Sequence, residues 1–345
     1  RIRQSRSVGL STSFELDVWG RIRRANEAAR ATLLASQYSR DAIRLSIAGL
    51  VADTYLALRA YDAQLVVTAE TVKTREESLK LVKTRVDAGL ASPLDGYQAE
   101  GLLAAAEAQL AEQRRLRTLA EHQLALITGN PALKIAAGDL KQLPLLPEAP
   151  AGLPSDLIEG RPDVRQAEQE LVAANAGIGM AKAGYFPKFT LTGSLGTESR
   201  TLSDLFSAGS NTWSLGLGAL MPILDFGRTS ARVDQAKAIN QQSLIAWQDS
   251  LQTAYKEVRD ALVSLREYGE EEKAQSTRVD RAEKAMAIAR LRYEAGHTGY
   301  LEVLDAQRSL NDAQLAAIGV RQARLSSSVG LFKALGGGWK ADTPS

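Results

Sequence analysis

Residues 7–129 lie over residues 214–336 at a constant offset of 207, with no insertion anywhere in the match. Trp19-Gly20-Arg21 falls on Phe226-Gly227-Arg228, and Asp53, Arg59 and Tyr61 fall on Asp260, Arg266 and Tyr268. Further on, Arg85, Ala88, Gly89 and Gly129 meet Arg292, Ala295, Gly296 and Gly336. A repeat of this length means two copies of one large supersecondary unit, not a stack of short solenoid repeats. Each copy reads as strand, very long helix, tight turn, shorter helix.

Three segments alternate with period two. In 7–19 the apolar set is Val8, Leu10, Phe14, Leu16 and Val18; in 188–197 it is Phe189, Leu191 and Leu195; in 213–224 it is Trp213, Leu215, Leu217, Ala219, Met221 and Ile223. Such strands have one apolar and one hydrated face. Two readings follow: a soluble antiparallel sheet packed on helices, or membrane strands. A 13-residue strand reaches about 43 Å at roughly 3.3 Å per residue, long for a globular sheet and enough to cross a bilayer at a tilt. Trp19 and Phe226 close two of the segments, where an aromatic sits at a membrane interface. Lipid tolerates no open sheet edge, so three membrane strands require several chains to share one barrel.

The helices carry the rest. The pattern predicts one helix from about Arg24 to Asp87, spanning roughly 96 Å at 1.5 Å per residue, and a second from about Thr229 to Glu294. Helices of this length mean coiled coil, membrane span or helical array. These are too polar to span a membrane, and no run of 18 apolar residues exists. Each ends at a glycine suited to the left-handed cap, Gly89 or Gly296. Return helices follow at about 93–127 and 300–335, the first opened by Ser92 as N-cap and Pro93 at the first helical position. The domain organisation reads as repeat 1 (7–129), a proline-rich connector (130–160), repeat 2 (161–336) and a tail (337–345). Repeat 2 opens with a helix from Pro162 to about Ala183 that leads into the strand at 188. Applied to repeat 1, the same offset implies an upstream helix and strand preceding Arg1. The lack of an initiator Met and of a signal peptide agrees with a processed or truncated product.

Composition removes whole classes of function. The net charge of +2 gives no bulk attraction to nucleic acid or anionic lipid. The absence of cysteine removes thiolate metal sites, disulfides and cysteine nucleophiles. His122 and His297 offer little for a metal site, and no phosphate-binding glycine loop or hydrolase elbow occurs. The expectation is a non-enzymatic protein with no cofactor, no metal and no nucleic-acid partner.

The run RPDVRQAEQELVAANAGIGMAKAGYFPKFTLTGSLG (161–196) resembles the signature of TolC-type outer-membrane efflux channels, in the lipoprotein branch that serves RND multidrug pumps. PILDFGR (222–228), RYEAGHTGYLEVLDAQRSLNDAQ (292–314) and FELDVWGRIRRA (14–25) resemble the same branch. The resemblance implies a mainly α fold with a membrane β portion. Long helical hairpins would form a trimeric α-barrel across the periplasm, and strands would join a shared outer-membrane β-barrel. It implies a homotrimer in the outer membrane of a Gram-negative bacterium, in contact with outer-membrane lipid. The implied partners are a periplasmic adaptor and an inner-membrane RND-type transporter. The family's lipidated N-terminal cysteine, upstream helices and first strand are not in this sequence. Leu301 and Asp305 occupy positions resembling the family's apolar and acidic constriction rings. Four residues apart, they share one helix face. The alternative is that Leu301 packs in a helix seam and Asp305 is a solvated charge. Gly89, Ala91, Ser92, Gly296, Thr298 and Gly299 resemble the adaptor-docking tips, or serve turn chemistry alone. The function implied is an exit duct for drugs or other small molecules. Alternatives are a type I secretion channel, a metal-ion exporter, or a soluble coiled-coil scaffold.

Overall fold

The computed structural model describes residues 5–145 and 160–337. Residues 146–159, within the expected connector, and 338–345, within the expected tail, lie outside it. In chain order the elements are β1 (Arg6–Leu16), α1 (Arg21–Asp87), α2 (Pro93–Ile127), α3 (Pro162–Lys182), β2 (Lys188–Ser199), β3 (Asn211–Leu220), α4 (Arg228–Glu294) and α5 (Tyr300–Ala334). Short 3-10 turns occupy Leu140–Gln142 and Ala183–Tyr185. The long helices α1 and α4 have 67 residues each and the return helices α2 and α5 have 35 each. Glycines with positive φ end all four: Gly89, Gly129, Gly296 and Gly336. Each is followed by the six-to-one backbone bond of a Schellman cap, for example Leu90 N–H to the Arg85 carbonyl (2.7 Å) and His297 N–H to the Arg292 carbonyl (2.9 Å).

The chain forms two compact units, and both repeats contribute to each. The first draws on Arg1–Arg40 and Pro162–Gln252, the second on Asp41–Arg161 and Thr253–Ser345.

The first unit holds a three-stranded antiparallel sheet in the order β1-β2-β3. Its register pairs Leu10 with Leu195 and Trp213, and Phe14 with Leu191 and Leu217, so the apolar residues of all three strands share one face. The opposite face carries Ser11, Ser13, Thr192, Ser194, Ser214 and Gly216. Neither face is covered: Leu10 is 79% and Trp213 78% exposed on the apolar face, and Ser11, Ser194 and Ser214 are exposed on the other. A soluble sheet packed on a helix layer would bury one face, so that expectation fails on the geometry.

β1 and β3 end before their alternation does, whereas β2 runs two residues past its own. β1 stops at Leu16 because Asp17 leaves the ladder to cap α1, accepting the Ile22 and Arg23 N–H groups at 2.9 and 2.8 Å. β3 stops at Leu220, two residues before Pro222, which has no N–H for a ladder. At α4 the cap is Asp225, which accepts the Thr229 and Gly227 N–H groups. The Thr229 hydroxyl and amide, then Gly227 and the Arg228 charge, hold the Asp225 carboxyl below its usual range. Asp17 and Asp225 do the same work one position out of step in the repeat.

That turn forces Phe226 to φ 52. A bulky residue in the left-handed region costs about 1–2 kcal/mol. Asn tolerates that conformation, so Phe226→Asn is expected to raise the unfolding temperature of the detergent-solubilised protein by a few degrees. A fall measured by scanning calorimetry would show that the ring contributes more than the strain costs.

The second unit packs the hairpins α1–α2 and α4–α5 with the connector. Leu140 is buried against Leu56 and Ala60 of α1 and Leu325 of α5. Two arginine–carboxylate nodes fix the connector on either side of it. In the first, buried Asp62 accepts from Arg59 (2.9 Å), Arg117 (2.9 Å) and the Gly138 N–H (3.1 Å). The same arginines donate to the Ala136 and Ile135 carbonyls. Glu121 accepts the Ile135 N–H at 2.7 Å, which holds its carboxyl low. In the second node Glu272 pairs with Arg321 (3.3 Å) and Arg324 (2.6 Å), and Arg321 donates to the Leu143 carbonyl.

Candidate functional site

The turns at 88–92 and 295–299 close the two hairpins of the second unit. Behind them four helices meet in one apolar cluster: Val82 of α1, Ala99 of α2, Ala289 and Tyr293 of α4, and Tyr300, Val303 and Leu304 of α5. The Tyr293 and Tyr300 rings lie 5.4 Å apart, and burial pushes the Tyr300 hydroxyl up from its ordinary pKa. Above this cluster the α1–α5 contact turns polar, with Gln307 donating to Ser78 (3.0 Å) and Thr71 to Asn311 (3.2 Å).

The two turns are built differently. At the first, Ser92 and Asp95 form a capping box: Ser92 Oγ accepts from Leu94 N–H (3.2 Å) and Asp95 accepts from Ser92 N–H (3.4 Å). At the second, Gly299 has no side chain to cap with, and Thr298 bonds Glu302 instead. Glu302 also pairs with Arg292 at 2.9 Å. Gly89 and Gly296 take φ of 69 and 75, exposed, with open space where a Cβ would stand. Ala91 and Thr298 are half-buried, while Ser92 and Gly299 are exposed.

Leu301 and Asp305 lie together on the exposed face of α5, opposite the packed Val303, Leu304 and Gln307. Leu301 is 63% exposed among the described residues. Arg308 continues the same exposed face one turn on. Trp19 and Phe226 are in the other unit. Trp19 stacks on Phe186 (4.4 Å) and donates its indole N–H to the Pro187 carbonyl (2.9 Å), whereas Phe226 is 91% exposed.

Two features were missed by sequence reasoning. The first is an exposed apolar group at the first turn, Leu90, Leu94 and Tyr97; the side-chain types were visible, but not that the cluster behind them leaves them uncovered. The second is Arg85, whose guanidinium donates to the Tyr293 and Glu294 carbonyls at 3.2 Å each and lies 4.4 Å over the Tyr293 ring. One hairpin thus holds the end of the other, while its repeat counterpart Arg292 stays within its own hairpin. Charge-assisted bonds of this kind contribute about 1.5–3 kcal/mol. Arg85→Ala is expected to speed amide exchange over 291–297, whereas Arg292→Ala, losing only an exposed ion pair, changes it little. Equal effects from the two would contradict the cross-hairpin role.

Comparison with known proteins gives a single answer. A family model described as outer membrane efflux protein matches residues 1–130 and 153–337. The solvent efflux pump outer membrane protein SrpC of Pseudomonas putida is 38% identical over 343 residues, covering 98% of this chain and 72% of the relative. Outer membrane protein OprJ of Pseudomonas aeruginosa is 37% identical over 341 residues, covering 98% and 71%. Among solved structures, the open state of the MtrE outer membrane channel of Neisseria gonorrhoeae superposes with a TM-score of 0.88 at 32% identity, covering 100% of this chain and 82% of that one. A membrane protein from Pseudomonas aeruginosa gives 0.91 at 34% identity, covering 98% and 82%.

Proposed function

Because the chain belongs to the outer membrane efflux protein family, we propose that it works as one of three identical subunits around a single duct. The protein is an outer-membrane efflux channel of a Gram-negative bacterium, with a large periplasmic helical part. Its family is one of channels and not of enzymes. The observation that carries the trimeric reading is the uncovered sheet. Its apolar face needs lipid, and three strands leave edges that lipid does not tolerate, so strands of further copies must complete the barrel. The polar face then lines the lumen.

The four-helix turn region is the periplasmic entrance. Under threefold symmetry the exposed Leu301 and Asp305 become an apolar ring and a carboxylate ring that narrow the pore and favour cations. The exposed Gly89, Ser92, Gly296 and Gly299, with the half-buried Ala91 and Thr298, receive a periplasmic adaptor, which links the duct to an inner-membrane RND-type transporter. Phe226, 91% exposed beside Ile223 and Leu224, stands at the lipid head-group level. Trp19 stands at the same level in the first repeat, half-exposed, its ring braced on Phe186 toward the polar side of the sheet. The domain division into two repeats and a connector is kept as the organisation of each subunit. The cargo is small organic molecules, in line with relatives named for solvent, toluene and antibiotic efflux.

The test is single-channel current through the detergent-purified protein in a planar bilayer, with native mass in parallel. Long-lived conductance from a trimer supports the reading; a monomer that stays in solution without detergent and conducts nothing overturns it. For docking, a Cβ at Gly89 or Gly296 stands in open space, so the main cost of Gly89→Val and Gly296→Val is backbone strain of about 1–2 kcal/mol each. The variants are expected to remain trimeric and to lose crosslinking to the adaptor. Crosslinking that persists removes these turns from the interface.

A further inference from the structure

A cavity of about 460 Å³ lies where the sheet meets the helices of the first unit. That is within the range of small-molecule sites, about 300–1,000 Å³. One wall is apolar: the stacked Trp19 and Phe186, with Leu220, Met221 and Pro222. The other carries charge. Lys188 and Leu220 are register partners on the polar face of the sheet, so the cavity opens on that side.

The charges around it do not balance among themselves. Glu15 is already taken, held by Arg21 through two bonds (2.7 and 2.8 Å) and by Lys188 at 2.8 Å. Asp17 is spent on the first N–H groups of α1. The Arg228 guanidinium, the third cation of the lining, makes no hydrogen bond or ion pair among the described residues; its charge acts on the neighbouring Asp225, whose carboxylate is engaged by the Gly227 and Thr229 N–H groups. Both α1 and α4 also begin here, each with an arginine first and no acidic residue in its opening turn. Both helix ends are already capped, by Asp17 and Asp225, so the free charge of the cavity is the Arg228 guanidinium, beside an aromatic and aliphatic wall.

We propose that this cavity is a transit subsite of the duct that holds amphipathic aromatic anions, the ring on the Trp19–Phe186 side and the anionic group at Arg228. The inference rests on the channel reading, because that reading turns the polar sheet face toward the lumen. An anion reaching the cavity from the outer side does not cross the Asp305 ring.

The test uses single-channel current through the trimer in a planar bilayer, with 1-anilinonaphthalene-8-sulfonate added on the extracellular side. Conductance before addition tests the channel reading alone. With conductance present, the expected result is concentration-dependent, reversible block. Arg228→Gln and Arg228→Glu, checked for trimer mass, should raise the half-blocking concentration about tenfold or more, as loss of a charge-assisted contact requires. An aromatic cation of similar size should block weakly and without regard to Arg228. Equal block by the cation, absence of block, or block that the Arg228 variants leave unchanged would each overturn the subsite while leaving the channel standing.

Discussion

Asp62→Ala is expected to lower the unfolding temperature of the protein by on the order of 10 °C, the largest stability loss from any single side chain discussed above. Asp62 is 5% exposed and accepts from Arg59, Arg117 and the Gly138 N–H together. Removing it leaves two part-buried guanidiniums facing each other and one backbone donor without its acceptor. Breaking such a buried pair from one side costs about 3–5 kcal/mol, and in a unit of this size each kcal/mol is worth about 2–4 °C. Asp62→Asn retains an acceptor and should fall between. The control is Asp280→Ala, which loses only exposed pairs, with Lys284 at 2.8 Å and Arg281 at 3.6 Å; it should leave the melting temperature where it was. Amide exchange at Ile135 and Gly138 should accelerate in Asp62→Ala before the global transition, because the connector loses its anchor first. A melting temperature unmoved by Asp62→Ala would mean that the connector is held mainly by Leu140.

The second large effect is on function. Leu301→Ala combined with Asp305→Ala is expected to raise single-channel conductance several-fold. The two side chains stand on one exposed face, so on the proposed reading their removal widens the pore without opening a cavity in a core. The singles separate the causes. Leu301→Ala widens the constriction and should increase current with little change in ion preference. Asp305→Asn keeps the size, removes the carboxylate ring and should lower cation selectivity. Wild-type conductance and selectivity in the double variant would remove the gate assignment, and Arg308 would be the next residue to examine on that face.

Much of this fold could be read from spacing alone. The helices occupy the predicted stretches because apolar periodicity, Ser92-Pro93 and the terminal glycines are local signals, each enforced by nearby backbone chemistry. The strands were legible in their alternation and illegible in their ends. Whether Asp17 extends a strand or caps a helix depends on the helix it turns toward. The face-sharing of Leu301 and Asp305 was visible at four-residue spacing, but their exposure was not, since it depends on where α1 lies. Long-range electrostatics were out of reach for the same reason. Nothing around Arg59, Asp62 or Arg117 distinguishes them from the solvated pairs Lys256–Asp260 or Lys273–Glu270. Only the path of the connector across the hairpins buries one set and leaves the others in water.

The register of the sheet sets an order of assembly. Leu16 pairs with Phe189, and the entire first hairpin with its connector and α3 lies between them in the chain. Each hairpin closes through neighbours in sequence, a fast and inexpensive loop closure, whereas the β1–β2 ladder must wait for a very long one. During synthesis the first hairpin can form before β2 has been made, so β1 waits for β2 on a chain whose hairpin is already structured. The apolar faces of the strands are thus the last surfaces to find their place. Their partners, lipid and further copies of the chain, meet a subunit whose helices are already built.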